Sequence, residues 1–252
     1  MIKARTFTLP FIKKEYVGKD TYSFVFDLKG FSAIGELETS WNFEPGQYVR
    51  MSLPHDNADE RGTSRYFTIS SSPQNKENLV ITVKLRDSSF KKTLHALQPG
   101  DLSHFFGPMG WFLLPKDENL EKVFIAGGIG ITPFHSLLHF LANKTLPQQI
   151  TLFASFRTKE DVLFYDSIQK VAKQNPKIKA IYTLTREFYA DSDLFFEKGR
   201  ISKELLQKYL KDIYAPAYYI VGPARMVEGA RALLLDLGVT EEKIQTEDFT
   251  GY

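Results

Sequence analysis

The sequence predicts an antiparallel β-barrel followed by a doubly wound α/β domain with a parallel sheet. Short β-segments fill the first part of the chain, with a single helical pattern among them. Farther along, apolar runs alternate with helical patterns, which is typical of a parallel sheet covered by helices. The charged stretch Leu114–Asn119 separates the two patterns. We therefore expect one domain at residues 1–117 and a second at residues 118–252.

The barrel is expected to contain six strands and one helix. Residues 79–86 show the clearest alternation of apolar and more polar side chains, which predicts a strand with one buried face. Pro-Gly turns at residues 45–46 and 99–100 separate neighbouring segments. The expected strands are Thr6–Val17, Thr21–Leu28, Gln47–Leu53, Arg65–Ser71, Leu79–Arg86 and Asp101–Phe106, the helix is Phe90–Leu97, and the surface loops are Gly35–Asn42 and His55–Thr63.

The α/β domain is expected to alternate strands with helices along the chain. The expected strands are Lys122–Ala126, Ile150–Phe156, Ile178–Leu184, Tyr218–Val221 and Lys243–Gln245, and the helices are Pro133–Asn143, Glu160–Lys173, Ser202–Leu210 and Pro223–Leu237. Open sheets of this kind bind their ligands at the carboxyl ends of the strands.

Composition excludes several classes of function. A formal net charge of +2 over 252 residues is too balanced for a nucleic-acid binder. The chain has no cysteine, which rules out disulfides, a thiol nucleophile and Cys-ligated zinc or iron–sulfur sites. His135 and His139 lie four residues apart on a predicted helix without the Glu of a zinc-protease motif, so we expect a solvated or half-buried pair and no metal. Without a signal peptide or a membrane-length apolar run, the expected location is cytoplasmic.

The stretch Arg65–Pro73 is the first candidate site. Its Tyr, Phe, Thr and Ile favour a strand, which the Ser-Pro pair ends. Arg65 and Phe67 have the same parity, so a regular strand points both to one face and Thr68 to the other. A fixed cation beside a flat aromatic ring suits a ligand that has a phosphate group and a planar ring.

The second candidate site is the glycine-rich turn within residues 123–134. A buried strand runs into Gly128 and Gly130, and then a helix follows with Thr132 as its expected N-cap and Pro133 at its first position. Such a turn brings backbone N–H groups and the positive end of a helix close to a pyrophosphate. Pro133 stands where the ordinary dinucleotide fingerprint has its third glycine.

Four stretches together resemble the ferredoxin–NADP reductase superfamily. They are Pro45-Gly46-Gln47-Tyr48, Arg65-x-Phe67-Thr68, Gly128-x-Gly130-x-Thr132-Pro133, and Val221-Gly222-Pro223 followed by Met226. They occur in the order and spacing of that family and span nearly the whole chain. The resemblance implies a flavin-binding barrel, an NAD(P)-binding α/β domain, and FAD and NAD(P)H as cofactors.

In the barrel, the resemblance implies that Arg65 pairs with a flavin phosphate, Phe67 stacks on the isoalloxazine ring and Thr68 approaches its N5. Tyr66 belongs to the same cofactor-binding stretch. The segment from Ser88 to Thr93 is similar to the family's second phosphate loop, which would hold the FAD pyrophosphate at a helix start. Its candidate contacts are Ser88, Ser89, Lys91, Lys92 and Thr93, and the two lysines fit solvated charges equally well.

In the α/β domain, the resemblance assigns the dinucleotide to both glycine turns. The candidate contacts are Gly128, Gly130, Thr132, Pro133, Gly222, Pro223 and Met226, although Met226 alone fits a core stripe better than a cofactor contact. The ending Glu247-Asp-Phe249-Thr-Gly-Tyr252 is similar to the family's terminal Glu-x-aromatic, whose ring covers the flavin. Phe249 fits that spacing and Tyr252 is the rival, so Thr68, Glu247 and Phe249 are the expected catalytic residues.

The sequence departs from the family at two places. Phe67 stands where the family often has Tyr, and Val221 where it often has Cys, so a thiol is dispensable here or hydride transfer is slower.

Ser155 and Arg157 close the second α/β strand, where an acid would bind the ribose of NAD and Arg could bind a 2′-phosphate. These residues lean towards NADP. Phe164, where NADP-specific relatives often have Tyr, keeps the choice nearly even.

The resemblance implies a flavoenzyme that passes a hydride between NAD(P)H and FAD, and electrons on to an external acceptor such as ferredoxin or flavodoxin. Two alternatives stay open. One is an electron-transfer subunit of an oxygenase or larger redox complex, and the other is a flavin-binding sensor without turnover. We expect no nucleic-acid partner and no membrane span.

Overall fold

The computed structural model describes residues 3–29, 31–33, 41–56, 58–110, 112, 120–186 and 196–249. The chain divides into two units, Met1–Leu113 with His135–Phe140, and Leu114–Phe134 with Leu141–Tyr252. The stretch expected to separate the domains, residues 114–119, lies outside the described residues, as does most of the expected loop at 35–42. The boundary between residues 117 and 118 therefore stays a prediction.

The first part of the chain forms an antiparallel barrel. Its elements are β1 (Arg5–Gly18), β2 (Thr21–Asp27), β3 (Ser32–Ala33), β4 (Tyr48–Ser52), β5 (Ser64–Thr68), β6 (Asn78–Lys84), α1 (Ser89–Ala96) and β7 (Leu102–Met109). The strands follow the order β5-β4-β7-β1-β2-β6, with β3 paired to β1. A bridge between Ile69 and Ile81 joins the two ends of this order. The predicted closed barrel is confirmed.

Aromatic side chains fill the barrel. Phe7 and Phe105 stack with their ring centroids 5.5 Å apart, and Phe26 meets Phe105 edge-on at 5.0 Å. Side chains of this size fill the interior of a small barrel, so the barrel is a packed core rather than a channel. Ligands must therefore bind at its surface.

The second part of the chain forms a parallel sheet with helices. Its elements are β8 (Lys122–Gly127), α2 (Thr132–Leu141), β9 (Ile150–Phe156), α3 (Tyr165–Gln174), β10 (Ile178–Leu184), β11 (Glu197–Lys198), α4 (Lys203–Tyr209), β12 (Ala217–Gly222), α5 (Ala224–Asp236) and β13 (Ile244–Asp248). The strand order is β11-β10-β9-β8-β12-β13. The order reverses at β8, which has β9 on one side and β12 on the other. The carboxyl ends of these strands are where such sheets bind ligands.

The predicted start of α3 at Glu160 is wrong. A short 3-10 turn covers Lys159–Asp161, and the chain is extended at Val162 before the helix begins at Tyr165. Phe164 has a φ of 58°, in the left-handed region, and a continuing right-handed helix cannot contain such a residue. The apolar pattern of this segment continued through the turn and gave no sign of the break.

Candidate functional site

Strand β5 directs alternate residues into and out of the barrel. Phe67 lies opposite Val49, and Arg65 lies opposite Met51, across the β4–β5 pair. Both partners are fully buried. Arg65 and Phe67 therefore share a face, as their spacing predicts, and that face points to the barrel core.

The outward face of β5 carries Tyr66 and Thr68. Tyr66 is 62% exposed, whereas Phe67 is 5% exposed. Thr68 lies opposite Tyr48, whose ring meets the ring of Tyr66 edge-on at 5.8 Å. Tyr66 is thus the ring of this strand that a ligand outside the barrel can reach, and the stacking role expected for Phe67 stays a prediction.

The guanidinium of Arg65 is bound by a neighbouring turn. Its Nη2 donates to both carboxylate oxygens of Asp59, at 2.6 and 2.8 Å. Its Nη1 donates to the backbone carbonyls of Arg61, Gly62 and Ser64, at 2.9, 2.8 and 2.8 Å. Its Nε is buried and has no hydrogen-bond partner within the described part of the chain. The hydrogen bond from Arg65 lowers the pKa of the Asp59 carboxyl below its ordinary value.

The expected phosphate loop forms the start of α1. Ser88 caps the helix, because its Oγ accepts a hydrogen bond from the amide of Lys91 at 3.1 Å. The Oγ of Ser89 accepts a hydrogen bond from the amide of Asp59 at 3.1 Å and lies 3.0 Å from Nε2 of His55. Asp59 therefore bonds to Arg65 through its carboxylate and to Ser89 through its amide.

The two lysines of this loop have different surroundings. Lys91 is buried, and its Nζ donates to the carbonyl of Lys84 at 2.8 Å. Burial lowers the pKa of Lys91 to about 8. Lys92 is exposed and pairs with Asp87 at 2.7 Å, while Thr93 donates to a carbonyl one turn earlier. Only Lys92 matches the solvated charge that the sequence left open for both lysines.

The glycine-rich turn after β8 begins as a 3-10 turn at Gly128–Ile131. Thr132 has helical backbone angles, φ −57° and ψ −46°, and its Oγ1 donates to the carbonyl of Ile129 at 3.0 Å. An N-cap needs a non-helical backbone and an accepting side chain. The predicted N-cap at Thr132 is therefore wrong, because the helical run starts four residues earlier. Pro133 is accordingly the second residue of α2 rather than the first.

Two of the glycines are explained by contact between the turns after β8 and β12. A Cβ on Gly130 would lie 2.4 Å from the carbonyl oxygen of Val221, and one on Gly222 would lie 2.5 Å from Cε of Met226. Met226 thus packs on a glycine turn, which favours its core interpretation. Gly128 differs, because its φ is 54° and a Cβ there would meet no described atom within 4 Å. Its open side can admit a ligand.

The carboxyl ends of β9 and β10 bring two arginines together. The amide of Arg186 donates to the carbonyl of Arg157 at 2.9 Å, and both residues are exposed. Ser155, one of the expected contacts, accepts a hydrogen bond from Thr183 at 3.1 Å. Arg186 was not expected from the sequence, although its place just after a strand in a parallel sheet could have indicated it.

The tail forms the edge strand β13, which pairs in parallel with β12 and places Asp248 opposite Gly222. The amide of Phe249 donates to the carbonyl of Gly222 at 3.0 Å, which fixes Phe249 beside the second glycine turn. Burial, and then Asp248, raise the pKa of the Glu247 carboxyl. Tyr252, the alternative aromatic residue, lies outside the described residues.

The histidine pair is half-buried, as expected. The rings of His135 and His139 lie 4.5 Å apart, and burial lowers the pKa of His135 to about 3. Over the part of the chain that the structure describes, no group of three His, Cys, Asp or Glu side chains could hold a metal ion. Within the same ranges, no helix has the length and apolar character needed to cross a membrane.

Comparison with protein families assigns both parts of the chain. Residues 8–113 match the oxidoreductase FAD-binding domain, and residues 124–232 match the oxidoreductase NAD-binding domain. The chain belongs to the ferredoxin–NADP reductase superfamily. The two matched domains are those that bind FAD and a nicotinamide dinucleotide in oxidoreductases, as the resemblance implied.

Two curated relatives match along most of the chain. The flavohemoprotein of Bacillus subtilis (strain 168) is 28% identical over 244 residues, covering 95% of this chain and 59% of its own length. A subunit of the Na(+)-translocating NADH-quinone reductase of Haemophilus influenzae (strain 86-028NP) is 25% identical over 258 residues, covering 96% of this chain and 61% of its own length. The chain thus spans about three fifths of the length of these relatives.

Solved structures show the same fold. A ferredoxin NADP+ reductase from Neisseria gonorrhoeae, with bound FAD and NADP, matches with a TM-score of 0.76 at 17% identity and covers 98% of this chain and 99% of that chain. The Amycolatopsis cytochrome P450 reductase GcoB matches with a TM-score of 0.80 at 20% identity and covers 99% of this chain and 71% of that chain.

Proposed function

We propose that this superfamily member passes electrons from NAD(P)H, by way of FAD, to an external acceptor such as ferredoxin or flavodoxin. The observation that supports the proposal is that each part of the chain offers a helix start suited to an anion. In the barrel, Arg65 lies beside the start of α1, and this first turn of the helix contains Ser89 and Lys91. In the α/β part, the turn at Gly128 is open at the end of a central strand. We also propose the domain boundary between residues 117 and 118.

In the barrel, Arg65, Ser88, Ser89 and Lys91 would hold the phosphates of FAD. These residues fit the group, because a buried cation and the N–H groups of a helix start favour a charged diphosphate. Lys92 and Thr93 would act at the edge of this loop. FAD supplies the hydride-accepting N5 and the release of electrons to the acceptor.

The outward face of β5 would hold the flavin ring. Thr68 would direct its hydroxyl at N5, and the exposed ring of Tyr66, with Tyr48 beside it, would contact the isoalloxazine. A stacking contact with Phe67 would require that ring to leave the barrel core. The cost of exposing a buried Phe, about 2–3 kcal/mol, favours the outward rings.

In the α/β part, the turns at Gly128 and Gly222 would bind the dinucleotide. The backbone around Gly128 and Thr132 would bind its pyrophosphate, while Gly130, Pro133, Pro223 and Met226 shape the turns. Glu247 lies within β13, opposite Val221, and Phe249 follows this strand beside Gly222. There Phe249 would shield the flavin ring until nicotinamide displaces it. Ser155, Arg157 and Arg186 would lie near the ribose that distinguishes NADP from NAD.

The acceptor is the open part of the proposal. The curated relatives include a flavohemoprotein and a subunit of an NADH-quinone reductase, and this chain covers about three fifths of each. A relative that is a subunit of a larger complex favours, as the second candidate, an electron-transfer subunit with a dedicated partner.

The function can be tested with the purified chain. Its visible spectrum should show bound flavin, and anaerobic addition of NADPH or NADH should bleach it. Added ferricyanide should then be reduced catalytically. Bound flavin that neither nucleotide bleaches would instead support the sensor without turnover. Bleaching with very slow ferricyanide reduction would support the dedicated subunit.

Replacing Arg157 with Ala should reduce the preference for NADPH. We expect the ratio of kcat/KM for NADPH to that for NADH to fall about 5- to 10-fold, the size of one lost charge-assisted hydrogen bond at an exposed site. Arg186→Ala should act in the same direction. Lys177→Ala is the matched control, because Lys177 is an exposed cation just before β10, away from its carboxyl end. An unchanged ratio in Arg157→Ala would remove Arg157 from the site.

Replacing Phe249 with Ala should ease the entry of nicotinamide. With the shielding ring gone, we expect NADPH to bind about 3- to 10-fold more tightly, because binding no longer has to displace an aromatic contact. The visible band of the flavin should shift as well. Deletion of Tyr252 is the comparison, and it should do less. If the deletion changes spectrum and affinity while Phe249→Ala does not, Tyr252 is the shielding residue.

A further inference from the structure

Both Nη atoms of Arg65 already donate hydrogen bonds inside the chain. Nη2 donates to the two carboxylate oxygens of Asp59, and Nη1 donates to three backbone carbonyls of the 61–64 turn. The remaining donor, Nε–H, is buried and has no hydrogen-bond partner among the described residues. Arg binds phosphate through paired N–H groups of its planar fork. A flavin phosphate can use that fork only after some of these acceptors have left.

Asp59 is itself held firmly in this position. Its Oδ1 accepts a hydrogen bond from the amide of Arg61 at 3.0 Å, and its carbonyl accepts one from the amide of Gly62 at 2.8 Å. Its own amide donates to Ser89 at the start of α1. The turn therefore places the carboxylate of Asp59 against Arg65. Through the amide of Asp59, the same turn is hydrogen-bonded to the start of α1, which is suited to a diphosphate.

The charge around Asp59 resembles the surroundings of a bound anion. Arg65 and Arg61 lie 2.6 and 3.7 Å from the Asp59 carboxylate, and the same two arginines also act electrostatically on the buried Lys91. Asp59 is ionised near neutral pH, as an ordinary aspartate is, and Arg65 lowers its pKa further. Its carboxylate supplies to Arg65 the same two-oxygen contact that a phosphate offers.

We propose that Asp59 is an internal competitor for the flavin phosphate. Its carboxylate takes the place on Arg65 that a phosphate would take, and the turn at residues 58–64 moves away when a phosphorylated flavin binds. The proposal rests on the proposed role of Arg65. It makes Asp59 a determinant of flavin selectivity, since FAD and FMN must displace the carboxylate and riboflavin need not.

The test uses the full chain stripped of flavin and titrated with FAD, FMN and riboflavin. In Asp59→Asn, the binding of FAD and FMN should tighten about 5- to 20-fold, because the ionic competitor is gone. Riboflavin binding should stay within about twofold of the parent. Glu60→Gln is the matched control, since it removes the neighbouring exposed carboxylate and should leave all three affinities unchanged.

A measurement on the unmutated chain keeps the test independent of how well the variant folds. Amide hydrogen exchange at Arg61 and Gly62, whose N–H groups bond to Asp59, should speed up when FAD binds and not when riboflavin binds. Slower exchange with FAD, or FAD binding that is unchanged or weaker in Asp59→Asn, would show that Asp59 positions Arg65 instead and would overturn the proposal.

The variant Arg65→Ala separately tests the role of Arg65 in binding the flavin phosphate. Equal loss of FAD and riboflavin binding, or no loss, would refute that role.

Discussion

Arg65→Ala is expected to weaken FAD binding by about 2–4 kcal/mol, which corresponds to roughly 30- to 1000-fold in Kd. The side chain is 13% exposed, so the charge pair that it would form with a phosphate is largely shielded from water. Riboflavin lacks the phosphate, and its affinity should change far less. Titration of both flavins, followed by fluorescence, measures the difference directly.

The result needs a control for the structural part that Arg65 plays. Arg65 also binds the turn at residues 61–64, so its removal can loosen the barrel edge as well as the ligand. Arg65→Lys keeps the charge but not the planar fork, and it should bind FAD with intermediate affinity. Thermal unfolding of both variants shows how much stability is lost. If Arg65→Ala holds FAD as tightly as the parent, the stretch Arg65–Pro73 has been misinterpreted.

The fold could be predicted from the sequence because its elements carry clear periods. Alternation in β6 and apolar runs in β8 to β10 gave strands whose observed bounds differ by only a few residues. The two-residue strands β3 and β11 could not be found, because two residues carry no period. The break before α3 was missed for a related reason: a left-handed Phe164 has no signal in the apolar pattern.

The candidate site was harder to predict than the fold. The two-residue spacing of Arg65 and Phe67 predicted that both side chains share one face of the strand. It did not predict whether that face points into the barrel, because Tyr66 on the other face is aromatic as well. Their cross-strand partners, Val49 and Met51, decide this, and pairing is a tertiary property. The contact between Asp59 and Arg65 depends on how a loop folds back, which local sequence does not encode.

The last prediction concerns the glycine at the centre of the α/β turn. Gly130→Ala should lower the free energy of unfolding by about 3 kcal/mol or more. The new Cβ would lie 2.4 Å from the carbonyl oxygen of Val221 and 2.8 Å from Cα of Gly222. These are backbone atoms of β12, which is paired on both sides, so they cannot move without breaking the sheet. The φ of Gly130 is outside the left-handed region, so the loss would come from the clash alone.

Gly229→Ala is the matched control for this substitution. Gly229 lies within α5, and a Cβ there would meet no described atom within 4 Å. Ala favours a helix over Gly, so this variant should gain about 0.5–1 kcal/mol. Denaturant unfolding of both variants gives the comparison, with opposite signs expected for the same added methyl group. A Gly130→Ala variant within about 0.5 kcal/mol of the parent would show that the two glycine turns do not pack backbone to backbone.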